Sequence, residues 1–209
     1  MNYFGHAAVA SWHSAEPAAA LGSMLPDFAT MSGAQLAEPT DEGIARGIAL
    51  HHATDSAFHQ LPPVLALMRE LDDRLQAGGC ARGPRRAVAH IGVELLLDGV
   101  LVEVAAYRDG YLAALEHDTG GLRFREPDDA PRFTALHMRL RGYGVPDDLK
   151  RPESIVHRMH RMLAHRPLLA PSAADLAAIR TALVEHKPRV EVAAETVLRG
   201  MRAALTSPG

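Results

Sequence analysis

The feature that constrains the fold most is a helix-forming sequence that proline and glycine divide into short segments. Alanine, leucine, arginine and glutamate dominate the chain, and these residues have high helix propensity. No stretch alternates apolar and polar residues with the β-branched enrichment typical of a strand. The helices that this pattern predicts are 18–24 after Pro17, 43–60, 62–77, 85–108 with a continuation or kink to 117, 131–141, 152–165, 173–186 and 189–205. We therefore expect an all-α chain of eight or nine helices that forms one compact domain, residues 1–209.

Composition limits the classes of protein that the chain fits. Its 209 residues are 47% hydrophobic and 22% charged, so the chain can bury a core and is not of the disordered class. The formal net charge of −3 gives no electrostatic reason to bind nucleic acid or an anionic membrane. The one cysteine, Cys80, excludes an intramolecular disulfide and a cysteine-only metal cage. The sequence has neither a signal-peptide pattern nor an apolar run of the roughly 20 residues that span a bilayer, so we expect a cytoplasmic protein.

Histidine is the residue type that points to a functional site. The chain has 12 histidines, against five Phe, four Tyr and one Trp, and histidine is both the commonest metal ligand and the usual acid or base near neutral pH. Two predicted helices each carry a stripe of histidine and acidic residues at positions i, i+4 and i+8, which lie on one helix face. The stripes are His51, Asp55 and His59 in one helix, and His90, Glu94 and Asp98 in the other.

The second stripe lies in a helix that is apolar nearly all round, so we expect Glu94 and Asp98 to be buried. A buried carboxylate is costly unless it is paired or bound to a metal, and imidazole with carboxylate suits manganese, iron or zinc. The alternative is a surface ion pair that only stabilises its helix, which is the commoner meaning of one such stripe. Two further candidates are His6, in an apolar opening segment, and Asp27, which at a helix end is either a cap or a ligand.

Six segments, in order along the chain, resemble the bacterial acyl carrier protein phosphodiesterases. They are residues 1–6 (MNYFGH, like that family's MNFLAH), 22–28 (GSMLPDF, like GNLLADF), 47–55 (GIALHHATD, like GIxxHRxID), 91–98 after Arg85 and Arg86 (like the stretch ending in LDxxxDH), and, more loosely, 131–133 and 166–168. The spaced combination is fairly specific, and its firm motifs lie in residues 1–100.

This resemblance implies an all-helical fold distantly related to the HD-domain metal-dependent phosphohydrolases. It implies hydrolysis of the phosphodiester that joins 4′-phosphopantetheine to a serine of acyl carrier protein, with a divalent metal: manganese first, iron or zinc as alternatives. The site positions that it implies are His6, Asp27, His51, Asp55 and Asp98, with Glu94 in place of an aspartate. The metal would activate a water molecule, and Asp27 or Asp55 would act as the catalytic residue that orients or deprotonates it.

The chain also departs from the family pattern, and the departures keep other functions open. Gly99 stands where the family has a histidine, His52 replaces an arginine, and Glu94 is one methylene longer than the family's aspartate. His90, His52 or His59 would then substitute as a metal ligand. Such a changed ligand set also fits hydrolysis of another, small phosphoester or a metal-dependent oxygenase, including a di-iron one. A third reading is a non-catalytic binding protein with a degenerate site.

Basic residues form two clusters in the sequence. Arg82, Arg85 and Arg86 lie at a predicted helix start, and Arg85 and Arg86 are our candidates for substrate binding, since an acidic carrier protein needs a basic rim. The second cluster, residues 157–166, could also contact phosphate or a carrier protein, but it is more typical of a solvated helix face. No spacing connects Cys80 or the remaining histidines to a site, so we expect these histidines at the surface. They are His13, His117, His137 and His186.

Overall fold

The structure, a computed structural model, describes residues 1–206 of the chain. Within that range the backbone forms nine α-helices and one 3₁₀ helix, and its only β-structure is an isolated bridge between Leu36 and Phe124. The helices are α1 (Tyr3–Ala10), α2 (Pro17–Ser32), α3 (Glu42–Gln60), α4 (Pro62–Ala77), α5 (Arg82–Leu101), α6 (Ala105–Glu116), α7 (Asp129–Tyr143), the 3₁₀ helix Asp147–Lys150, α8 (Pro152–Leu163) and α9 (Ala173–Thr206). The all-α prediction is confirmed. None of the described helices has the length and apolar character needed to cross a bilayer.

The chain divides into two compact units. Unit 1 contains Met1–Asp55 and Leu101–Pro146, and unit 2 contains Ser56–Val100 and the described residues from Asp147 onward. In unit 1, α2 packs against α1, α6 and α7; in unit 2, α9 packs against α4 and α8. The organisation of residues 1–209 as one domain stays a prediction.

Aromatic side chains form much of the core of unit 1. Phe4, Phe28 and Tyr111 are almost completely buried. The ring centroids of Phe4 and Tyr111 lie 5.2 Å apart, and those of Tyr3 and Phe28 lie 5.7 Å apart, which is the range of favourable aromatic pairs. Because Tyr3 and Phe4 open α1, this packing fixes the helix that also carries His6.

Two glycines let α2 and α3 meet with their backbones in contact. A Cβ atom on Gly22 would lie 2.3 Å from the carbonyl oxygen of Ile44, and one on Gly47 would lie 2.2 Å from that of Ala19. Both distances are far below van der Waals contact, so neither position accepts a side chain unless a backbone moves. This contact brings the backbone of Ser23, which follows Gly22, close to the first half of α3.

Hydrogen bonds to Asp175 organise the start of α9 in unit 2. The hydroxyl of Ser172 accepts a hydrogen bond from the Asp175 N–H (3.1 Å), and the Asp175 carboxylate accepts one from the Ser172 N–H (2.8 Å), which is a capping box. The same carboxylate accepts a hydrogen bond from the Ala81 N–H at 2.7 Å. Asp175 therefore caps α9 and also ties the segment before α5 to it.

Two predicted helix ends are wrong because helices continue through proline. Helix α2 runs past Pro26 to Ser32, and α9 runs through Pro188, where the sequence predicts two helices. An internal proline costs about 3 kcal/mol because it removes a backbone hydrogen bond and crowds the preceding turn. In α9, buried apolar residues such as Leu183 and Val190 flank the proline, and burying one such side chain contributes about 1.5–3 kcal/mol. Packing on both sides therefore outweighs the local cost.

Two further differences concern α1 and the end of α5. The sequence does not predict α1, because all eight of its residues are buried and a uniformly buried helix has no amphipathic period. The predicted helix over 85–108 ends at Leu101, and α6 begins at Ala105 after Val104 adopts an extended backbone with φ −84° and ψ 114°. Two β-branched residues, Val102 and Val104, lie in this break, which fits their lower helix propensity.

Candidate metal centre

Three helices of unit 1 bring four of the predicted site residues together. His6 lies on α1, Asp27 on α2, and His51 and Asp55 on α3. One potential ligand atom from each of His6, Asp27 and His51 lies within 4.8 Å of the other two. Asp55 completes the group: its carboxylate oxygens lie 3.2 Å from His6 Nε2 and 3.8 Å from His51 Nε2. We call these four residues the unit 1 centre.

A backbone carbonyl group fixes the ring of His51. Its Nδ1 lies 2.9 Å from the carbonyl oxygen of Ser23, and a carbonyl oxygen can only accept a hydrogen bond, so Nδ1 carries the proton. In the neutral ring Nε2 then keeps its lone pair, which is the state of a metal-binding histidine. The backbone contact at Gly22 and Gly47 places that carbonyl group within reach.

Burial holds the imidazoles of the unit 1 centre in the form that binds metals. Burial lowers the pKa of His51 from 6.5 to about 4 and also lowers the pKa of His6. Both rings are therefore neutral near pH 7, as metal binding requires. Burial raises the pKa of the Asp55 carboxyl, but the neighbouring His6 ring and Met1 nitrogen lower it by more, so it lies below its usual range. Asp55 is therefore ionised, and its side chain is 38% exposed.

A second group of predicted residues lies within unit 2. His90 Nε2 is 2.9 Å from Glu94 Oε1, and His59 Nε2 is 3.7 Å from the same oxygen. Glu94 and Asp98 are buried on α5, as the sequence predicts. His52, by contrast, is exposed on α3, and its ring meets the ring of His51 edge-on at 5.3 Å. The assignment of these residues as ligands stays a prediction.

Backbone atoms occupy the space that a side chain at position 99 would need, where the family has a histidine and this chain has Gly99. A Cβ atom on Gly99 would lie 2.4 Å from the carbonyl oxygen of Leu149 and 3.5 Å from the nitrogen of Lys150. The 3₁₀ helix therefore packs directly on this turn of α5, and no side chain fits at position 99. A histidine at position 99 would therefore require the backbone of α5 or of the 3₁₀ helix to move.

The predicted basic contacts differ in their availability. Arg85 is engaged in an ion pair with Asp72 at 3.1 Å and in a hydrogen bond with Gln76 at 2.6 Å, whereas Arg86 is exposed. Cys80 is buried, and burial followed by the charge of Asp175 raises the pKa of its thiol to about 12. Such a thiol is not a nucleophile near neutral pH, and the sequence likewise shows no spacing that connects Cys80 to a site.

Two histidines that the sequence places at the surface are buried, so that prediction is wrong. His186 is 0% exposed and His137 is 5% exposed, and burial lowers the pKa of both. The signal for burial is helical spacing from apolar residues: His186 lies three positions after the buried Leu183 and shares its face. His13 is exposed and His117 is partly exposed.

Sequence reasoning also misses the role of Ser23, because a backbone carbonyl group has no residue-type signal. The available signal is indirect: Gly22 and Gly47 lie inside helices, and a helical glycine costs stability unless a close approach requires it. Read together, these two glycines indicate a backbone contact beside the predicted ligands.

Comparison with known proteins gives one match. The model of the acyl carrier protein phosphodiesterase family matches residues 1–104, the stretch that holds the firm motifs, and it confirms the resemblance drawn from them. No curated protein and no solved structure matches the chain.

Proposed function

Residues 1–104 of this chain belong to the acyl carrier protein phosphodiesterase family, and from this membership we propose that the chain is a metal-dependent phosphodiesterase. The proposed substrate is the bond between 4′-phosphopantetheine and a serine of acyl carrier protein, or a related phosphoester. The observation that carries the proposal is the unit 1 centre, in which His6, Asp27 and His51 offer ligand atoms within 4.8 Å of one another.

The donor set of the unit 1 centre fits a divalent transition metal. Two neutral imidazoles and two carboxylates suit manganese, iron or zinc, whereas magnesium and calcium prefer oxygen ligands alone. The hydrogen bond from His51 Nδ1 to the Ser23 carbonyl group (2.9 Å) is the outer contact that orients a metal-binding histidine. We propose manganese as the working metal of the unit 1 centre.

The residues of the unit 1 centre have separate roles in this proposal. A bound divalent ion supplies a water molecule of lowered pKa and offsets negative charge on the phosphodiester oxygens. His6 and His51 would hold the ion through ring nitrogens. Asp55 is ionised and partly exposed, so it would accept hydrogen bonds and orient the attacking water. Either Asp27 or Asp55 would take the proton.

Exposed basic side chains of unit 2 fit an acidic carrier protein. Arg85, which the sequence proposes as a contact to the carrier protein, already forms an ion pair with Asp72. Arg158 likewise binds Asp148 through two hydrogen bonds of 2.6 and 2.9 Å. Arg86 and Arg161 are exposed. We therefore assign Arg86 and Arg161, rather than Arg85, to contacts with the carrier protein.

The test is incubation of the purified protein with holo acyl carrier protein and Mn²⁺, followed by intact-protein mass spectrometry. We expect loss of the phosphopantetheine mass from the carrier protein with the wild type, and a loss at least about 100-fold slower with His51→Gln, because one ligand is gone. His13→Gln is the matched control, since His13 is exposed and lies outside the centre. It should turn over like the wild type.

Other results would point to the alternative functions. Unchanged carrier protein, beside an active control enzyme, would overturn the carrier-protein substrate. Turnover that requires bound iron and oxygen would favour an oxygenase. A wild type that binds no Mn²⁺, Fe²⁺ or Zn²⁺ would favour a non-catalytic binding protein.

A further inference from the structure

Unit 2 contains a histidine–carboxylate cluster that the proposed function does not use. His59 lies in the last turn of α3, and His90 and Glu94 lie one turn apart on α5. One potential ligand atom from each residue lies within 4.8 Å of the other two. Apart from the unit 1 centre, this is the only such group among the residues that the structure describes.

The geometry of the cluster resembles a ligand set more than an ion pair. The Nε2 atoms of both histidines are directed at one oxygen, Glu94 Oε1, at 2.9 and 3.7 Å, and the two rings lie 4.6 Å apart. A single ion pair along α5 would need only His90. A tetrahedral ion with bonds of about 2.0–2.1 Å holds its ligand atoms about 3.3–3.4 Å apart, so small side-chain rotations suffice to reach that spacing.

The exposure of the three side chains also suits a site that loads from solvent. The carboxylate of Glu94 is only 11% exposed, whereas the ring of His59 is 33% exposed and that of His90 is 51% exposed. The anionic ligand is thus largely buried, and both imidazoles are accessible to an ion from solvent. Two histidines and one glutamate also form the ligand set of several zinc hydrolases, in which the fourth position holds water.

We propose that His59, His90 and Glu94 form a second divalent-cation site, selective for zinc-like ions over magnesium and calcium. Selectivity follows from the two imidazole nitrogens, which hard oxygen-seeking cations bind poorly. The site goes beyond the proposed phosphodiesterase activity and does not rest on it, because its ligands all lie within unit 2.

The test counts ions and does not measure activity. The full chain is stripped with a chelator, and Zn²⁺ binding is measured by isothermal titration calorimetry; Co²⁺ replaces Zn²⁺ for a visible spectrum that reports nitrogen ligands and coordination number. We expect the His59→Gln/His90→Gln double variant to bind one Zn²⁺ fewer than the wild type. The single variant His90→Gln should weaken that binding step by more than about 100-fold, since loss of an outer-shell partner alone costs 10–100-fold.

The design keeps the two proposals separate. If both sites bind, the wild type takes up two ions and the double variant takes up one; if the unit 1 centre binds none, the counts are one and zero. His157→Gln, an exposed histidine on α8, is the matched control and should keep the wild-type count. An unchanged count in the double variant would overturn the second site, provided that circular dichroism of the chelated proteins shows the same helix content.

Discussion

The backbone contact between α2 and α3 makes Gly47→Ala the most informative substitution in unit 1. The added Cβ atom would lie 2.2 Å from the carbonyl oxygen of Ala19 and 2.7 Å from the Cα atom of Gly22. Ordinary contact begins at 3.4 Å, so the two helices must separate by roughly 1 Å, more than the ~0.5 Å tolerance of a preorganised site. Both contacting atoms belong to backbone, and no side-chain rotation relieves the overlap.

The expected cost follows from this overlap. Overpacking of a well-packed core costs about 1–3 kcal/mol of unfolding free energy. A loss of about 2 kcal/mol lowers Tm by roughly 4–8 °C in a protein of about 150–250 residues that unfolds in one step. The helix shift also moves the Ser23 carbonyl group away from His51 Nδ1, now 2.9 Å apart. Because that bond orients the ring, we expect Mn²⁺ affinity to fall by about 10–100-fold. Urea unfolding of the metal-free protein measures the change in unfolding free energy, and calorimetric titration with Mn²⁺ measures the change in metal affinity.

Gly110→Ala is the matched control. Gly110 also lies inside a helix, α6, but a Cβ atom there meets nothing within 4 Å. Alanine should therefore stabilise the protein by about 0.5–1 kcal/mol through helix propensity alone and leave Mn²⁺ affinity unchanged. If Gly47→Ala unfolds at the same urea concentration as Gly110→Ala, the close backbone contact does not exist and the reasoning fails.

Three further predictions concern stability. Gly99→His restores the family residue, and its Cβ would lie 2.4 Å from the Leu149 oxygen. We expect it to lower the free energy of unfolding by at least about 1–3 kcal/mol, and a urea midpoint equal to that of the wild type would contradict this. Asp175→Ala should cost about 1–3 kcal/mol by leaving the Ala81 N–H without its acceptor, and an unchanged urea midpoint would refute it. The free energy of unfolding should fall as pH decreases below about 6.5, because burial lowers the pKa of His186 and the unfolded chain then binds more protons than the folded one. In urea unfolding at pH 7 and pH 5, His186→Leu should show a smaller difference in unfolding free energy between the two pH values than the wild type.

The parts of the fold that the sequence predicts are those set by local chemistry. Asp41 accepts a hydrogen bond from the Ile44 N–H at 2.8 Å, and α3 begins at Glu42, one residue before the predicted start of that helix. Pro62 opens α4, and its end at Ala77 is as predicted. Local signals fail where tertiary packing outweighs them, as at Pro188, because the free energy of burial along α9 is not visible in a single turn.

The candidate site divides in the same way between local and non-local information. Helical spacing alone brings His90 to Glu94, at i and i+4, and that pair forms with a distance of 2.9 Å. The approach of His59 from another helix, and the meeting of His6 with His51 at a ring distance of 3.9 Å, depend on how helices pack within each unit. No periodicity gives these contacts, since spacing defines a face and not the partner of that face.

The loss of the family histidine at position 99 is best understood together with the histidine at position 90. Both positions lie on α5: position 99 is five residues after Glu94, and position 90 is four residues before it. The Leu149 carbonyl group excludes a side chain at 99, whereas at 90 the ring is half exposed and reaches Glu94 at 2.9 Å. An i, i+4 pair shares one helix face, but an i, i+5 pair is rotated by about 140°. The His90 imidazole therefore contacts the Glu94 carboxylate directly. A histidine at position 99 would lie on a different face of α5 from Glu94 and could not make this contact.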